Sequence, residues 1–117
     1  MIHPTALVHP QAQLGANVQV GPHAIVDAQV VVGDGTVIGP QVHLTGHLQI
    51  GRENRFHTGA VIGDAPQDLK YRNEPTRVVI GDRNVFREHV TVHRASKVEE
   101  DTVIGSDCLL MVGSHVG

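Results

Sequence analysis

Histidine is the residue type that most suggests chemistry in this sequence, since nine of the 117 residues are His. An imidazole has a pKa near neutrality and can act as a base, an acid or a metal ligand. The segment from Arg87 to Arg94 is the densest in titratable side chains and contains His89 and His93. Its composition fits a solvated scaffold face and a polar binding cleft equally well.

Metal binding is the first chemistry to weigh for so many histidines. His43 and His47 are four residues apart, as are His89 and His93. That spacing brings two ligands together on an α-helix, but it has no such meaning on a β-strand. Cys108 is the single cysteine, so neither a Cys pair for zinc nor an internal disulfide is available. The residues predict no metal site and no cofactor.

A six-residue repeat runs through the chain and sets the positions of these side chains. From Ile2 onwards every sixth residue is apolar, apart from an interruption between Ile62 and Ile80. The eighteen repeat positions are Ile2, Val8, Leu14, Val20, Val26, Val32, Ile38, Leu44, Ile50, Phe56, Ile62, Ile80, Phe86, Val92, Val98, Ile104, Leu110 and Val116. A period of six does not return to one face of an α-helix.

Glycine and small residues recur at fixed offsets within the repeat. Nine of the thirteen glycines directly follow the repeat residue, which indicates a recurring corner that a side chain would obstruct. Small residues recur four positions after the repeat residue, on the same strand face. This hexad pattern predicts an all-β chain wound as a parallel β-helix, a solenoid with three hexads and 18 residues in each coil.

One long loop interrupts the solenoid. The repeat positions between Ile62 and Ile80 would be Asp68 and Glu74, which do not belong inside an apolar tube. We therefore expect one domain over residues 1–117 with a protruding loop at about 64–79. A loop of this length is usually functional or disordered. If the chain leaves and returns at one corner, later residues lie on different faces from those that a plain count assigns.

Composition excludes several classes of function. A net charge of −3 and an aromatic content of 3% provide neither a basic footprint nor a stacking platform for nucleic acid. No stretch approaches the roughly 18 apolar residues of a membrane span, and the first residues do not form a signal peptide. The sequence predicts a cytoplasmic protein without an integral membrane segment.

Several segments of the sequence form recognisable motifs. The most selective is the loop motif Pro66 to Tyr71, and the others are Ile62 to Ala65, Glu74 to Thr76, Ile80 to Asn84, Val92 to Arg94 and Leu109 to Val116. Hexads alone indicate only the hexapeptide-repeat acyltransferase superfamily, but these motifs together resemble the UDP-N-acetylglucosamine O-acyltransferases of lipid A biosynthesis. The resemblance extends over essentially the whole chain.

This resemblance implies a left-handed β-helix that forms a homotrimer with active sites between subunits. The family transfers a 3-hydroxyacyl chain from acyl carrier protein to the 3-hydroxyl of UDP-N-acetylglucosamine, using a histidine base and neither a cofactor nor a metal. Carried over by motif, the loop residues Gln67, Asp68 and Lys70 would contact donor and sugar, with Asp68 the strongest candidate. His115 would contribute to the nucleotide-sugar cleft, and His93 is a weaker candidate there.

The same resemblance implies that no catalytic base lies within residues 1–117. In the family the catalytic histidine lies three residues beyond the counterpart of His115, immediately after the position of Gly117. The later coils and the C-terminal helical domain are also absent from the sequence. We therefore expect an N-terminal portion of the enzyme that is inactive alone, and the sequence sets neither the acyl chain length nor a hydroxyl or amine acceptor.

Three other functions stay open at this stage. One is another hexapeptide-repeat transferase, such as an N-acyltransferase or a coenzyme A-dependent acetyltransferase. The second is a γ-type carbonic anhydrase, which holds zinc between subunits and so needs no local motif. The third is a non-enzymatic β-solenoid scaffold, which would trimerise without binding a nucleotide sugar.

Overall fold

A computed structural model describes residues 1–67, 76–97 and 100–117 of the chain. These residues form short parallel strands joined by tight turns. In chain order they are β1 (Leu7–Val8), β2 (Gln13–Leu14), β3 (Gln19–Val20), β4 (Ile25–Val26), β5 (Val30–Val32), β6 (Val37–Ile38), β7 (His43–Leu44), β8 (His47–Ile50), β9 (Arg55–Phe56), β10 (Val61–Asp64), β11 (Arg77–Ile80), β12 (Val85–Phe86), β13 (Thr91–His93), β14 (Thr102–Ile104), β15 (Leu109–Leu110) and β16 (His115–Val116).

The strands stack into three parallel sheets that form the faces of a left-handed β-helix. Sheet 1 has the order β1-β4-β7-β10-β13-β16, sheet 2 the order β14-β11-β8-β5-β2, and sheet 3 the order β15-β12-β9-β6-β3. Val8 pairs with Val26, and Val20 pairs with Ile38. Both pairs are 18 residues apart, which confirms the predicted coil of three hexads.

Residues of the predicted repeat fill the axis of the solenoid. Leu44, Ile62 and Val92 of sheet 1 are fully buried, and Ile50 and Ile80 of sheet 2 are nearly so. On sheet 3 the rings of Phe56 and Phe86 stack with centroids 4.5 Å apart and planes inclined by 17°. This stacking adds to the stabilisation from burying Phe56 and Phe86, which are the largest fully buried side chains. The described part of the chain contains no helix that could span a membrane.

Two excursions leave the solenoid at one corner, between sheet 1 and sheet 2. The first separates Asp64 of β10 from Arg77 of β11, so it is shorter than the expected loop at 64–79. The second separates His93 of β13 from Thr102 of β14. It was not predicted, and the repeat position Val98 assigned to it lies outside the described residues. Ile80 pairs with Ile50 and Ile104 pairs with Ile80, so each excursion replaces one ordinary corner.

Glycines that follow the repeat residue allow successive coils to approach closely. A Cβ at Gly33 would lie 2.5 Å from the Gly51 carbonyl oxygen, and one at Gly39 would lie 2.6 Å from the Phe56 oxygen. A side chain at these positions would therefore clash with the backbone of the next coil, as the sequence predicts. Positive φ occurs two residues later instead, for example at Gln41 (φ 58°) and Glu53 (φ 56°).

A ladder of buried polar side chains crosses the corner between sheets 2 and 3. Asn54 and Asn84 are 1% and 0% exposed, and the Asn54 Oδ1 accepts a hydrogen bond from the Asn84 backbone N–H at 2.9 Å. The Asn54 Nδ2 donates to the Gly81 carbonyl at 2.8 Å. The Asn84 side chain repeats this pattern one coil later, donating to the Gly105 carbonyl at 2.7 Å. The ladder satisfies backbone groups that the turns leave inside.

Candidate active site

An open cavity of about 490 Å³ lies beside the corner between sheets 1 and 2, and residues of both excursions and of β16 line it. Its wall includes two imidazoles, a guanidinium, two carboxylates and an amide, from His93, His115, Arg94, Glu100, Asp101 and Gln67. We call it the corner cavity. Polar groups converging in one concave surface are typical of a binding site.

His93 and His115 come together because β13 pairs in register with β16. Thr91 lies opposite His115 and Val92 lies opposite Val116. The two imidazole rings meet edge to face, with centroids 4.7 Å apart and planes inclined by 74°. His93 is 8% exposed, whereas His115 is exposed. One histidine is therefore embedded in the cavity wall and the other is presented at its surface.

Burial lowers the pKa of the His93 imidazole below its ordinary value of 6.5. The neighbouring His115 lowers this pKa further, and the Asp64 carboxylate opposes the shift by raising it. A buried imidazole beside a second imidazole disfavours the charged form. The surroundings of His93 therefore favour its neutral form.

A bulge at Gly63 places Asp64 beside His93. Val61 and Ile62 pair with Thr91 and Val92 in register, and then Asp64 rather than Gly63 pairs with His93. Gly63 has a φ of +91°, a left-handed conformation that favours glycine. The bulge therefore sets an acidic residue opposite His93, and bulges recur next to active sites.

Arg94 links this bulge to the next coil by two hydrogen bonds. Its Nη1 donates to the Gly63 carbonyl at 3.1 Å, and its backbone N–H donates to the Asp64 carbonyl at 2.9 Å. Arg94 thus connects the start of one excursion with the start of the other.

Hydrogen bonds also fix the ends of both excursions. The Thr102 hydroxyl donates to the His93 carbonyl at 2.9 Å, and the Thr76 hydroxyl donates to the Ala95 carbonyl. Arg77 and Asp101 form an ion pair at 3.0 Å. The walls of the corner cavity are consequently tied to each other as well as to the solenoid.

The sequence-predicted site residues divide into two groups. His93, His115 and Gln67 all line the corner cavity. Asp68 and Lys70 lie outside the described residues, so their positions stay predictions. Arg94, Asp101 and Thr102 also line it and were not predicted, because only the second excursion brings them there.

The segment from Arg87 to Arg94 extends over two corners of the solenoid. Arg87 forms an ion pair with Glu88 at 3.0 Å. His89 has a positive φ of 59° and packs over Gly59, where a Cβ would lie 2.4 Å from its Nδ1. Only the end of the segment, at His93 and Arg94, borders the corner cavity. One end of this segment therefore borders the cavity, and the rest belongs to the scaffold.

Among residues 1–67, 76–97 and 100–117, no group of three His, Cys, Asp or Glu side chains is arranged to hold a metal ion. His43 is near Asp27, with Nε2 3.2 Å from Oδ2. It lies on the outer face of sheet 1 between β4 and β10.

The fold of this chain is similar to that of known acyltransferases. Residues 29–64 match the family model described as bacterial transferase hexapeptide (six repeats). The UDP-N-acetylglucosamine O-acyltransferase from Moraxella catarrhalis has a TM-score of 0.95 and 39% identity over 99% of this chain. The chain resembles the N-terminal part of such an O-acyltransferase.

Two other acyltransferase structures agree with this resemblance. The UDP-N-acetylglucosamine acyltransferase from Bacteroides fragilis is 43% identical over 100% of the chain, with a TM-score of 0.94. The Francisella novicida UDP-N-acetylglucosamine acyltransferase is 34% identical over 100% of the chain, with a TM-score of 0.96. The chain spans 46% of the Moraxella and Bacteroides proteins and 43% of the Francisella protein.

The lowered pKa of His93 makes a prediction that needs no substrate. By NMR, we expect its imidazole to titrate with a midpoint below 6.5, and His115→Gln to move that midpoint upwards without restoring it fully, because burial persists. The unfolded chain takes up the proton more readily, so the free energy of unfolding should fall as pH drops through about 6.5. A midpoint at or above 6.5, or no response to His115→Gln, would contradict this assignment.

Proposed function

We propose that these residues form part of an acyltransferase that moves a 3-hydroxyacyl chain from acyl carrier protein to the 3-hydroxyl of UDP-N-acetylglucosamine, the first step of lipid A biosynthesis. The observation that carries the proposal is the corner cavity, which Gln67 at the base of the first excursion lines together with His93 and His115. The acyltransferases to which the chain is similar carry the same acceptor, UDP-N-acetylglucosamine, in their names.

In the proposed reaction the acceptor hydroxyl oxygen attacks the thioester carbonyl carbon, and the carbon–sulfur bond breaks. A histidine removes the hydroxyl proton and delivers it to the departing thiol, which needs no cofactor or metal. By the resemblance, this base follows Gly117. Residues 1–117 would then bind the acceptor but not transfer the acyl chain.

Within the corner cavity we assign the acceptor-side contacts to His115 and, secondarily, to His93. A neutral His93 can donate one hydrogen bond and accept another without a charge beside the nucleotide sugar. Gln67, Asp68 and Lys70 of the first excursion are proposed to contact donor and sugar. We further propose a cytoplasmic homotrimer whose active sites lie between subunits.

A chimera tests this function directly. Residues 1–117 would replace the segment that they match in the Bacteroides fragilis enzyme, which is 43% identical, and transfer from 3-hydroxyacyl carrier protein would be assayed. We expect the chimera to be active, and His115→Ala and Asp68→Ala each to reduce kcat/KM at least tenfold, about 1.4 kcal/mol of transition-state stabilisation.

His9→Ala is the matched control, because His9 is exposed on the first coils and borders no part of the corner cavity. It should leave the rate unchanged. A folded chimera that binds UDP-N-acetylglucosamine but transfers nothing would reject the proposed reaction. A folded chimera that does not bind it would favour the scaffold function.

A further inference from the structure

Thr91 contacts the exposed histidine of the corner cavity from the neighbouring coil. Its Oγ1 lies 2.7 Å from the His115 Nδ1. Parallel pairing of β13 with β16 sets Thr91 and His115 opposite each other, and the Thr91 N–H donates to the Ser114 carbonyl at 3.1 Å. The hydroxyl is therefore anchored by the sheet next to one specific nitrogen of the ring.

The length of this contact favours the hydroxyl as the donor. Hydrogen bonds from O–H groups are commonly 2.7–2.8 Å long, whereas those from N–H groups are commonly about 2.9–3.0 Å long. A β-branched threonine also has few rotamers, so its hydroxyl direction is restricted. A neutral imidazole that accepts at Nδ1 carries its proton at Nε2.

The opposite nitrogen of His115 lies next to the backbone of residue 117. A Cβ at Gly117 would lie 3.0 Å from the His115 Nε2. Gly117 borders the corner cavity together with His93 and His115. The absence of a side chain at this position leaves space beside the Nε2.

We propose that Thr91 is a positioning residue that fixes His115 as the Nε2–H tautomer, so that His115 donates a hydrogen bond to an oxygen of the bound nucleotide sugar. The assignment of the ligand rests on the proposed function, whereas the assignment of the tautomer does not. In this role His115 binds and orients the acceptor, and it is not the group that removes a proton.

The tautomer can be measured on the chain itself with ¹⁵N-labelled histidine. Long-range ¹H–¹⁵N correlation at about pH 8, where free imidazoles are neutral, distinguishes a protonated from an unprotonated ring nitrogen. We expect His115 to carry its proton on Nε2. Thr91→Val should raise the Nδ1–H share about fivefold through loss of one hydrogen bond, and Thr91→Ser should restore the wild-type ratio.

Valine suits a strand position, and an unchanged His93 signal would show that the local fold persists in Thr91→Val. An Nδ1–H tautomer in the wild-type chain, or an unchanged ratio in Thr91→Val, would overturn the inference. The serine variant gives a second test should the valine variant fold poorly, because it must keep the wild-type ratio.

Calorimetric titration with UDP-N-acetylglucosamine separates this inference from the function. We expect Thr91→Val to weaken binding in proportion to the Nε2–H share that it loses, because only that tautomer donates to the ligand, and Thr91→Ser to bind like the wild type. If the wild-type chain binds no nucleotide sugar, the proposed function fails while the NMR result still decides the role of Thr91. Equal binding by wild type and Thr91→Val, measured alongside a clearly reduced Nε2–H share, would overturn the positioning role.

Discussion

Replacing Gly63 by alanine should lower the free energy of unfolding by about 4 kcal/mol, which we expect to be the largest effect of any single methyl group added here. Two costs act together. The left-handed φ of +91° costs a residue with a Cβ about 1–2 kcal/mol, and overpacking adds about 1–3 kcal/mol. The overpacking arises because the new Cβ would lie 2.1 Å from the Thr45 carbonyl oxygen. Urea unfolding followed by circular dichroism measures the loss.

Three other glycines provide matched controls for the two costs. Gly113 has a φ of +71° with nothing within 4 Å of its Cβ position, so Gly113→Ala tests backbone strain alone. Gly33→Ala tests the steric clash alone, and Gly105→Ala tests neither, since nothing lies within 4 Å of its Cβ position. We expect losses of about 1, about 2 and less than about 0.5 kcal/mol respectively. A Gly63→Ala loss no greater than that of Gly113→Ala would show that the bulge relaxes freely.

The Gly63 bulge also links stability to the candidate site. It brings Asp64 opposite His93 and offers its carbonyl to Arg94. An alanine variant that folds with a flattened bulge would move the carboxylate away from His93. Because Asp64 raises the pKa of His93, the His93 titration in that variant should shift further down.

The sequence predicted the solenoid because a six-residue period of apolar side chains can be buried along the axis of a β-helix but not on one face of an α-helix. Each repeat residue points into the axis, and the 18-residue coil follows from three such residues at three faces. Paired residues such as Val26 and Leu44 confirm both the period and the face. The interrupted repeat located the first excursion, and the resemblance added the handedness.

The second excursion was hidden for a geometric reason. Val92 and Ile104 occupy neighbouring faces, so twelve residues separate positions that a regular hexad separates by six. The inserted length equals one repeat and carries Val98 at the repeat position, which leaves the apolar pattern intact. The first excursion inserts twelve residues but was visible, because Asp68 and Glu74 are polar.

The candidate site was only partly predictable for the same reason. His93 and His115 meet because β13 pairs with β16 at a separation of 24 residues, as between Thr91 and His115. That separation follows from the length of the second excursion and not from hexad counting. Arg94, Asp101 and Thr102 reach the corner cavity through that same excursion. Of the residues identified by motif, Gln67, His93 and His115 line the corner cavity. The residues that position them were not visible in the sequence.

Replacing Asn54 by valine should lower the free energy of unfolding by about 3 kcal/mol, the second large effect that we expect. The buried Asn54 side chain accepts from the Asn84 N–H and donates to the Gly81 carbonyl. Valine leaves both groups inside the protein without these partners, and each unsatisfied buried group costs about 1–3 kcal/mol. Valine already occupies the corresponding position of an earlier coil at Val18, so the size of the side chain is not the cause.

Thr36→Val is the matched control, one coil earlier on the same ladder. The Thr36 hydroxyl makes longer hydrogen bonds, at 3.3 Å to the Gly51 carbonyl and 3.3 Å from the Asn54 N–H. We expect a loss of about 1 kcal/mol, a third of that at Asn54. Equal losses in both variants would mean that water reaches the Asn84 N–H and replaces the amide. A larger loss at Asn54 would show that the ladder stabilises the turns between sheets 2 and 3. The apolar side chains of the repeat cannot form hydrogen bonds with the buried backbone groups of these turns.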